Sequence, residues 1–357
     1  MAERNKIELL GMNEPELEKF AVSIGEKPFR GRQIHQWIYQ KEVSSFYEMN
    51  DLSKSLRQKL DDMAQISILR VLKQKVSDDG TRKFLMELND KKKIETVVIP
   101  QSYDKNTRFT LCLSSQVGCP VGCSFCATGR SGFQRNLLAS EMVGQVLGSN
   151  RELSRRLKVN GERPISSIVY MGMGEPMFNY DEVIKSIHIL NDSSGMNIGQ
   201  RHITISTSGE VQGIARLAHE ELQVTLAVSL HACNNQLRDR LIPMNKKYPL
   251  EVLLPALRAY IDKTRRRITF EYIMLDNVNI SHKDAQDMIK MLKPFLANVN
   301  LIPYNEVKDA EYSRPSSHKI KAFYNWLVEG GLTVTMREER GADIDAACGQ
   351  LAARKER

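Results

Sequence analysis

Three of the six cysteines are crowded into one short segment, Cys119-Pro120-Val121-Gly122-Cys123-Ser124-Phe125-Cys126, with the spacing C-x3-C-x2-C. Thiolates are soft ligands that select zinc or an iron–sulfur cluster. A structural zinc site needs four ligands, and Cys112 could supply the fourth, although it lies at the end of the strand predicted before this segment. Three cysteines can instead hold a cubane cluster and leave one iron open to substrate. The spacing favours the cluster and leaves zinc as the alternative.

The other cysteines, Cys112, Cys233 and Cys348, do not suggest a disulfide framework. Such frameworks belong to short secreted chains. This chain has 357 residues, and its first six lack the apolar stretch of a signal peptide. We therefore expect a cytoplasmic protein that uses its cysteines for metal or redox chemistry. Cys233 has no motif around it and is expected to be a buried structural thiol.

A second loop, Gly172-Met173-Gly174-Glu175-Pro176, combines two glycines with a carboxylate. By itself it indicates a tight turn, and it is not a dinucleotide-binding fingerprint because the third glycine is missing. A carboxylate at such a turn is a good charge-assisted partner for an ammonium group of a ligand.

Both loops follow predicted strands, in a region from about residue 108 where strands and helices alternate. Repeated βα units imply an α/β fold with a parallel sheet and right-handed crossovers, either an open or a closed barrel. Such barrels bind ligands at the carboxyl ends of their strands, which is where both loops lie. Strands are predicted at residues 109–113, 165–170, 202–206, 224–229, 268–274, 299–302 and 332–336, and helices at 139–153, 180–191, 211–219, 250–263, 282–292 and 317–329.

The region before the βα units has a different pattern. Helices are predicted to begin near Asn13 and Ser53, and residues 30–39 have apolar positions at helical spacing. Strand-like runs near residues 66–75, 82–88 and 93–99 are separated by turn signals, which predicts antiparallel pairing. The chain is therefore divided into a helical accessory domain (1–65), an antiparallel extension (66–106), the βα domain (107–340) and a C-terminal tail (341–357).

Charge is informative about the class of partner. The chain carries 51 basic and 43 acidic residues, a net charge of +8 with neutral histidines. An excess of this size is compatible with simple solubility, but basic residues cluster at 91–93, 155–158, 246–247 and 265–267. Such clusters suit a polyanion, and charge alone does not distinguish RNA from DNA. No run of about 18 apolar residues is present, so no membrane span is expected.

The cysteine segment, with an aromatic residue before its last cysteine, resembles the radical S-adenosylmethionine (SAM) superfamily, whose fold is a partial (βα)6 barrel. The chain is similar over nearly its whole length to the RlmN/Cfr family of RNA methyltransferases. The similarity rests on Phe29-Arg30-Gly31-Arg32-Gln33, Cys112-Leu113-Ser114-Ser115-Gln116-Val117-Gly118-Cys119, Cys126-Ala127-Thr128-Gly129, Gly132-Phe133-Gln134-Arg135-Asn136-Leu137, Met171-Gly172-Met173-Gly174-Glu175-Pro176, Ser229-Leu230-His231 and Ala346-Ala347-Cys348-Gly349-Gln350-Leu351. Because a proline follows Glu175, the chain resembles the RlmN branch most, which methylates C2 of adenine. The stretch Arg337-Glu338-Glu339-Arg340 departs from the more basic pattern expected there.

The resemblance implies two cofactors and the residues that hold them. Cys119, Cys123 and Cys126 would bind three irons of a [4Fe–4S] cluster, and the fourth iron would chelate SAM. Glu175 would accept the ammonium group of SAM, with Gly174 letting the backbone approach. Other residues that match the family's SAM pocket are Ser206, Ser229, Leu230, His231 and Asn305.

The resemblance also implies roles for two cysteines outside the cluster. Cys348 would take a methyl group from one SAM, and a second SAM would yield the adenosyl radical that removes hydrogen from it, so two SAM are used per turnover. The resulting carbon radical would add to adenine, and Glu95 would act as the base. Cys112 would then attack the sulfur of Cys348, form a disulfide and release methylated RNA.

The expected substrates are 23S rRNA, at an adenosine of the peptidyl-transferase centre, and tRNA, at the adenosine beside the anticodon. The expected partners also include an electron donor such as flavodoxin or ferredoxin, and the chain is expected to be a monomer whose accessory domain binds RNA. Two alternatives stay open: a Cfr-type C8 methyltransferase that confers ribosomal antibiotic resistance, and a zinc-stapled RNA-binding protein without catalysis.

Overall fold

The structure, a computed structural model, describes residues 6–101, 108–157, 163–307 and 310–352. Its N-terminal part is helical, as predicted. Asn13 and Ser53 both act as helix N-caps, because each side chain accepts a hydrogen bond from a main-chain N–H in the first turn. The elements are β1 (Ile7–Glu8), α1 (Glu14–Ser23), α2 (Pro28–His35), which continues into a π-helical turn (Gln36–Gln40), α3 (Lys54–Met63) and β2 (Ala64–Gln65), which pairs with β1.

Three antiparallel strands follow, β3 (Arg70–Val76), β4 (Arg82–Glu87) and β5 (Lys93–Pro100). The prediction of these strands is confirmed, although the first begins at Arg70, later than expected. Their connection to the rest of the chain is closer than the sequence suggested. β5 pairs with the next strand, β6 (Phe109–Cys112), so the antiparallel extension and the βα units share one sheet.

The βα alternation is confirmed with small shifts in the element ends. After β6 come β7 (Gln116–Gly118), α4 (Ala127–Arg130), β8 (Phe133–Asn136), α5 (Ala139–Leu157), β9 (Ile165–Tyr170), α6 (Tyr180–Asn191), β10 (Ile203–Thr207), α7 (Val211–Leu217), β11 (Thr225–Ser229), α8 (Asn235–Leu241), α9 (Leu250–Thr264), β12 (Ile268–Met274), α10 (His282–Leu292), β13 (Ala297–Pro303), α11 (Ser317–Glu329) and β14 (Val334–Met336). The hairpin of β7 and β8 and the helix α8 were not predicted.

Within the described residues, ten strands form one sheet in the order β14-β13-β12-β11-β10-β9-β6-β5-β4-β3. The pairings from β6 and β9 through β14 are all parallel. Cys112 ends β6 and Arg337 follows β14, yet both line one cavity. A flat sheet would separate these strands by about 29 Å, at about 4.8 Å per step. The sheet therefore curves into a partial barrel, and its carboxyl edge encloses a common space.

The apolar core is continuous from the N-terminal helices into the barrel, where it lies between the sheet and the surrounding helices. A smaller apolar cluster lies under the cysteine segment and includes Val121, Phe125 and Tyr304. Within the described part of the chain, no helix is long and apolar enough to cross a membrane.

Candidate active site

The cysteine loop, residues 119–126, is held between the two strands of the β7–β8 hairpin. Gly118 enters the loop with φ +78°, and a Cβ there would lie 1.8 Å from the carbonyl oxygen of Gly132, so only glycine fits this crossing. The N–H of Ser124 donates to the carbonyl of Leu241 at 3.2 Å, and its hydroxyl shares a 2.8 Å hydrogen bond with the hydroxyl of Tyr312. These contacts fix the loop on the rim of the barrel.

Within this loop the apolar side chains are more deeply buried than the thiols. Val121 and Phe125 are buried in the small apolar cluster, whereas Cys119, Cys123 and Cys126 are partly exposed free thiols. All three thiols line the cysteine-loop cavity, which has a volume of about 160 Å³ and extends to the ends of β9, β10 and β11. The sequence-predicted ligands are therefore together.

The three thiols fit the family's cluster by their chemistry and position. Burial raises the pKa of Cys119 to about 12 and raises those of Cys123 and Cys126, so thiolates there need a nearby cation. Among the described residues, no three His, Cys, Asp or Glu side chains are grouped around a point that one metal ion could occupy. A cubane cluster binds each thiolate through a different iron, so the thiols need only face a common cavity, as they do.

Glu175 lies across this cavity from the thiols and is 3% exposed. Its carboxylate accepts hydrogen bonds of 2.7 Å from both the N–H and the hydroxyl of Ser208, and one of 3.1 Å from the N–H of Met177. Burial raises the pKa of Glu175, and the hydrogen bonds from Ser208 oppose that rise. Gly174 has φ +107° and a Cβ there would lie 2.6 Å from Gln116, so the loop can only turn at a glycine.

Ser206, Ser229 and His231 line the same cavity. His231 has a left-handed backbone, with φ 57°, and its Nδ1 accepts a 3.1 Å hydrogen bond from the N–H of Ile273. A neutral imidazole with Nδ1 as acceptor carries its proton on Nε2. Burial lowers the pKa of His231 to about 3, so the ring is a neutral donor at physiological pH.

Leu230, which was predicted to line the SAM pocket, differs from Ser229 and His231 in where its side chain lies. Its side chain is fully buried in the main core and does not line the cavity. It contributes through its backbone: its N–H donates to the carbonyl of Glu271 at 3.0 Å, and its carbonyl accepts from Arg238 Nε at 3.1 Å. Leu230 therefore shapes the strand end through its backbone, and its side chain belongs to the core.

Arg238 is a buried residue that sequence reasoning missed. It is 0% exposed, and its guanidinium also donates to the carbonyls of Ser208 and Ser229 at 2.8 and 2.9 Å and to Asn245 Oδ1 at 2.8 Å. The one side chain thus joins the ends of β10 and β11. Its position on α8 in a run of polar residues resembled a solvent-facing helix, so no sequence signal distinguished it.

A neighbouring space, the tail cavity, has a volume of about 220 Å³ and shares Cys126, Arg337 and Cys348 with the cysteine-loop cavity. It is lined by both non-cluster cysteines of the predicted site, Cys112 and Cys348, and by Asn305. The Oδ1 of Asn305 is buried without a hydrogen-bond partner, so this wall offers an acceptor for a ligand.

The two cysteines of the tail cavity differ in exposure. Cys112 is buried and Cys348 is partly exposed. Burial, and then the charge of Cys348, raise the pKa of Cys112 to about 12, while the Arg337 guanidinium opposes that rise. The charge of Cys348 in turn raises the pKa of Arg337. Arg337 is thus the cation that faces both thiols, whereas the sequence had marked its segment only as a departure from a basic pattern.

The C-terminal tail that carries Cys348 is pinned against the cysteine loop. The N–H of Ala127 donates to the carbonyl of Gly349 at 2.7 Å, the Thr128 hydroxyl donates to the carbonyl of Leu351 at 2.5 Å, and Asn305 Nδ2 donates to the carbonyl of Cys348 at 3.4 Å. These bonds keep Cys348 between the two cavities.

Glu95, the predicted base, lines a different cavity from the two cysteines, although on β5 it lies two residues from Val97, which pairs with Cys112. Its side chain lines a third space, the lysine cavity, and forms an ion pair with Lys83 at 3.2 Å. Its carboxylate also accepts a 2.7 Å hydrogen bond from the N–H of Ala352. Burial raises the pKa of Glu95, and Lys83 opposes that rise. Leu351 lines the tail cavity and Ala352 the lysine cavity, so the tail runs along the boundary between the two spaces.

Glu271 and Cys233 lie outside the set of predicted ligand-binding and catalytic residues. Glu271 is a buried carboxylate on β12, paired in register with Ser229, and it lines the cysteine-loop cavity. A glutamate inside an otherwise apolar strand was the signal that could have identified it. Cys233 is partly buried at the edge of the core, which is more exposed than predicted.

A parallel sheet whose carboxyl edge carries three clustered thiols and a buried carboxylate is the arrangement of radical SAM enzymes, and residues 113–290 match the model of the Radical SAM superfamily. Residues 7–66 match the model described as the ribosomal RNA large subunit methyltransferase N-terminal domain. The chain belongs to the RlmN family of radical SAM RNA methyltransferases, enzymes that use SAM and a [4Fe–4S] cluster.

Three comparisons carry this assignment. A protein of Syntrophomonas wolfei named "Probable dual-specificity RNA methyltransferase RlmN" is 64% identical over 97% of both chains. The dual-specificity RNA methyltransferase RlmN of Halorhodospira halophila is 48% identical over 97% of this chain and 93% of that one. The crystal structure of a radical SAM methyltransferase from Sphaerobacter thermophilus superposes with a TM-score of 0.91 at 43% identity, covering 98% of this chain and 100% of that one.

Proposed function

We propose that this enzyme methylates C2 of adenosine in 23S rRNA, at the peptidyl-transferase centre, and in tRNA, beside the anticodon. The proposal depends on the observation that Cys112 and Cys348 line the same cavity, which adjoins the three cluster thiols. Adenine C2 is not nucleophilic, so it cannot take a methyl group by simple substitution. Two extra thiols beside a redox cluster would allow a radical route instead. Relatives named as dual-specificity RNA methyltransferases support two kinds of RNA substrate.

The cysteine-loop cavity is the proposed SAM pocket. Cys119, Cys123 and Cys126 would hold the cluster, which together with bound SAM supplies one-electron chemistry and the methyl group. Glu175 would accept the ammonium of SAM, since a buried carboxylate gains from a cationic partner. The remaining groups that would orient the ligand are the hydroxyls of Ser206 and Ser229, the Nε2–H of His231, the backbone at Gly174 and Leu230, and the amide of Asn305.

The thiols of the tail cavity would carry the carbon. Cys348 takes a methyl group on its sulfur, and that group would lose one hydrogen atom to the radical that the second SAM supplies, so that its carbon can bond to adenine. Glu95 would remove the proton from the substituted ring carbon, with one electron passing to the redox centre. Cys112 then attacks the sulfur of Cys348 and breaks the bond between that sulfur and the transferred carbon, which takes up a proton and becomes the methyl group. A disulfide forms and methylated RNA leaves. The scheme uses two SAM per turnover and needs an external reductant to restore both thiols.

Glu95 would act in this scheme from beside the tail that carries Cys348. Ala352 and Lys83 engage its carboxylate, and a general base must come within hydrogen-bond reach of the proton it removes. The bonds that hold this part of the tail are main-chain contacts at residues 349–352. A shift of these few residues would bring Glu95 and the tail cavity together.

The remaining proposals concern setting and partners. We propose a cytoplasmic monomer that receives electrons from a flavodoxin or a ferredoxin. Residues 1–65 are proposed as an RNA-binding accessory domain, 66–106 as an extension of the sheet, 107–340 as the catalytic barrel, and 341–357 as the tail, of which 353–357 lie outside the described residues.

Mapping the methyl group tests the proposed function. Holoenzyme prepared without oxygen would be incubated with SAM, reductant and either a 23S rRNA fragment or a tRNA transcript, and the RNA digested to nucleosides for mass spectrometry against C2- and C8-methyladenosine standards. The proposal predicts C2-methyladenosine from both RNAs. A C8 product would establish the Cfr-type alternative, and colourless protein with one zinc would establish the non-catalytic one.

A further inference from the structure

A row of lysines lies on the antiparallel part of the sheet beside Glu95. Lys73 and Lys75 are two residues apart on β3, and Lys83 of β4 pairs directly opposite Lys75. All three line the lysine cavity, which has a volume of about 280 Å³ and also has Glu95 in its wall. Lys73 and Lys75 are exposed on β3, whereas Glu95 is buried, and the carboxylates of Glu306 and Asp345 also line the cavity.

Like charges directly opposite each other on adjacent strands destabilise a sheet, so Lys75 and Lys83 need anionic partners. Lys83 is paired with Glu95 and donates a 2.8 Å hydrogen bond to the carbonyl of Asp345. The anion beside Lys75 is the carboxylate of Asp345 in the C-terminal tail, 3.7 Å from the ammonium group. The tail thus supplies part of the negative charge that the lysine row requires.

Another anion can replace the Asp345 carboxylate in its ion pair with Lys75. The two side chains are 44% and 69% exposed, and exposed pairs contribute little to stability. A phosphate offers several strong acceptor oxygens in place of one distant carboxylate oxygen, so it can replace Asp345 at small cost.

We propose that Lys75, with Lys73 beside it, binds one backbone phosphate of the RNA substrate, and that this phosphate replaces the Asp345 carboxylate. The inference rests on the proposed function, because it takes RNA as the substrate. Its location follows from Glu95: the base must reach the target adenine, so a phosphate close to that nucleotide lies near the same cavity. Phosphate contacts fix the register of a nucleic acid and read no sequence.

The exchange has a consequence for the tail. Asp345 is three residues before Cys348, and its backbone bond to Lys83 is part of the contact that holds the tail over Glu95. The exchange frees only the Asp345 side chain, because the bond from Lys83 to its carbonyl remains. The phosphate and the Asp345 carboxylate therefore compete for Lys75 beside the tail.

RNA affinity measured against salt concentration tests the proposal. Holoenzyme would be titrated with a 23S rRNA fragment and separately with polyuridylate, at several salt concentrations, as wild type, Lys75→Gln, Asp345→Asn and the control Lys290→Gln. Lys290 is exposed on α10 and lines none of the three cavities. One phosphate contact contributes a salt slope of about −0.7 on single strands, which corresponds to about fivefold in affinity at 0.1 M salt.

Lys75→Gln is expected to weaken binding of both RNAs about fivefold and to make the salt slope shallower by about 0.7. Asp345→Asn should tighten binding, and Lys290→Gln should match wild type. Unchanged affinity and slope in Lys75→Gln would overturn the phosphate site, and so would an equal loss in the control. Nucleoside analysis of the same wild-type preparation separates the two claims, since a methylated product alongside unchanged Lys75→Gln binding leaves the proposed function intact.

Discussion

Release of the methylated RNA should accelerate steeply with pH, because the thiol proposed to perform it is buried. Burial raises the pKa of Cys112 to about 12, with a smaller contribution from the charge of Cys348. Once Cys348 carries the RNA it is an uncharged thioether, so that smaller contribution disappears while burial remains. Only the thiolate attacks. With the pKa of about 12 as the upper value for the adduct, at least about one Cys112 in 10⁵ is a thiolate at pH 7 and at least about one in 10² at pH 10.

The release rate should therefore rise about tenfold per pH unit up to at least pH 10. An ordinary thiol with a pKa of about 8.5 would level off above about pH 9. The assay is a single-turnover reaction at pH 7, a rapid jump to the chosen pH, and measurement of the RNA that remains covalently bound to protein on a denaturing gel. The Cys112→Ala variant is the control and should release nothing at any pH. A plateau at or below pH 9, or a rate independent of pH, would contradict attack by a buried thiol.

The further predictions concern four single side chains. Cys348→Ala should abolish methyl transfer to both protein and RNA, measured with radiolabelled SAM, whereas Cys112→Ala should accumulate covalently linked RNA; normal turnover by either variant contradicts its assigned role. Arg238→Met should lower the free energy of unfolding by about 3–5 kcal/mol in denaturant titrations, because carbonyls at two strand ends lose a buried charged donor. A change below about 1 kcal/mol would show that this residue does not join the strands. Arg337→Gln should slow release roughly tenfold at a given pH, since the guanidinium lowers the pKa of Cys112; unchanged release contradicts that role.

The parts of the fold that depend on local pattern could be predicted from the sequence. Strand and helix periodicity located the βα units, and the caps at Asn13 and Ser53 located helix starts, because these signals involve residues close together in the chain. The joining of β5 to β6 and the β7–β8 hairpin depend on pairing between distant or irregular segments. No local pattern carries that information.

The candidate site divides in the same way. The cluster cysteines and Glu175 lie in compact motifs at strand ends, so their meeting in one cavity could be expected. The burial of Arg238 and the position of Arg337 beside both thiols could not be predicted, because the residues around an arginine in the sequence do not show whether its side chain is buried. Glu95 is the opposite case: the residue was identified by resemblance, but its hydrogen bond with the tail at Ala352 depends on a main-chain contact that no sequence pattern predicts.

The most direct test of the account is cleavage of SAM coupled to methylation of RNA. Protein reconstituted anaerobically with iron and sulfide would be given SAM, a strong one-electron reductant and the 23S rRNA fragment, and 5′-deoxyadenosine and C2-methyladenosine would be quantified together. The account predicts both products from wild type and neither from Cys126→Ala. Iron-loaded wild type that forms methylated RNA without 5′-deoxyadenosine, or Cys126→Ala that forms both products, would contradict it.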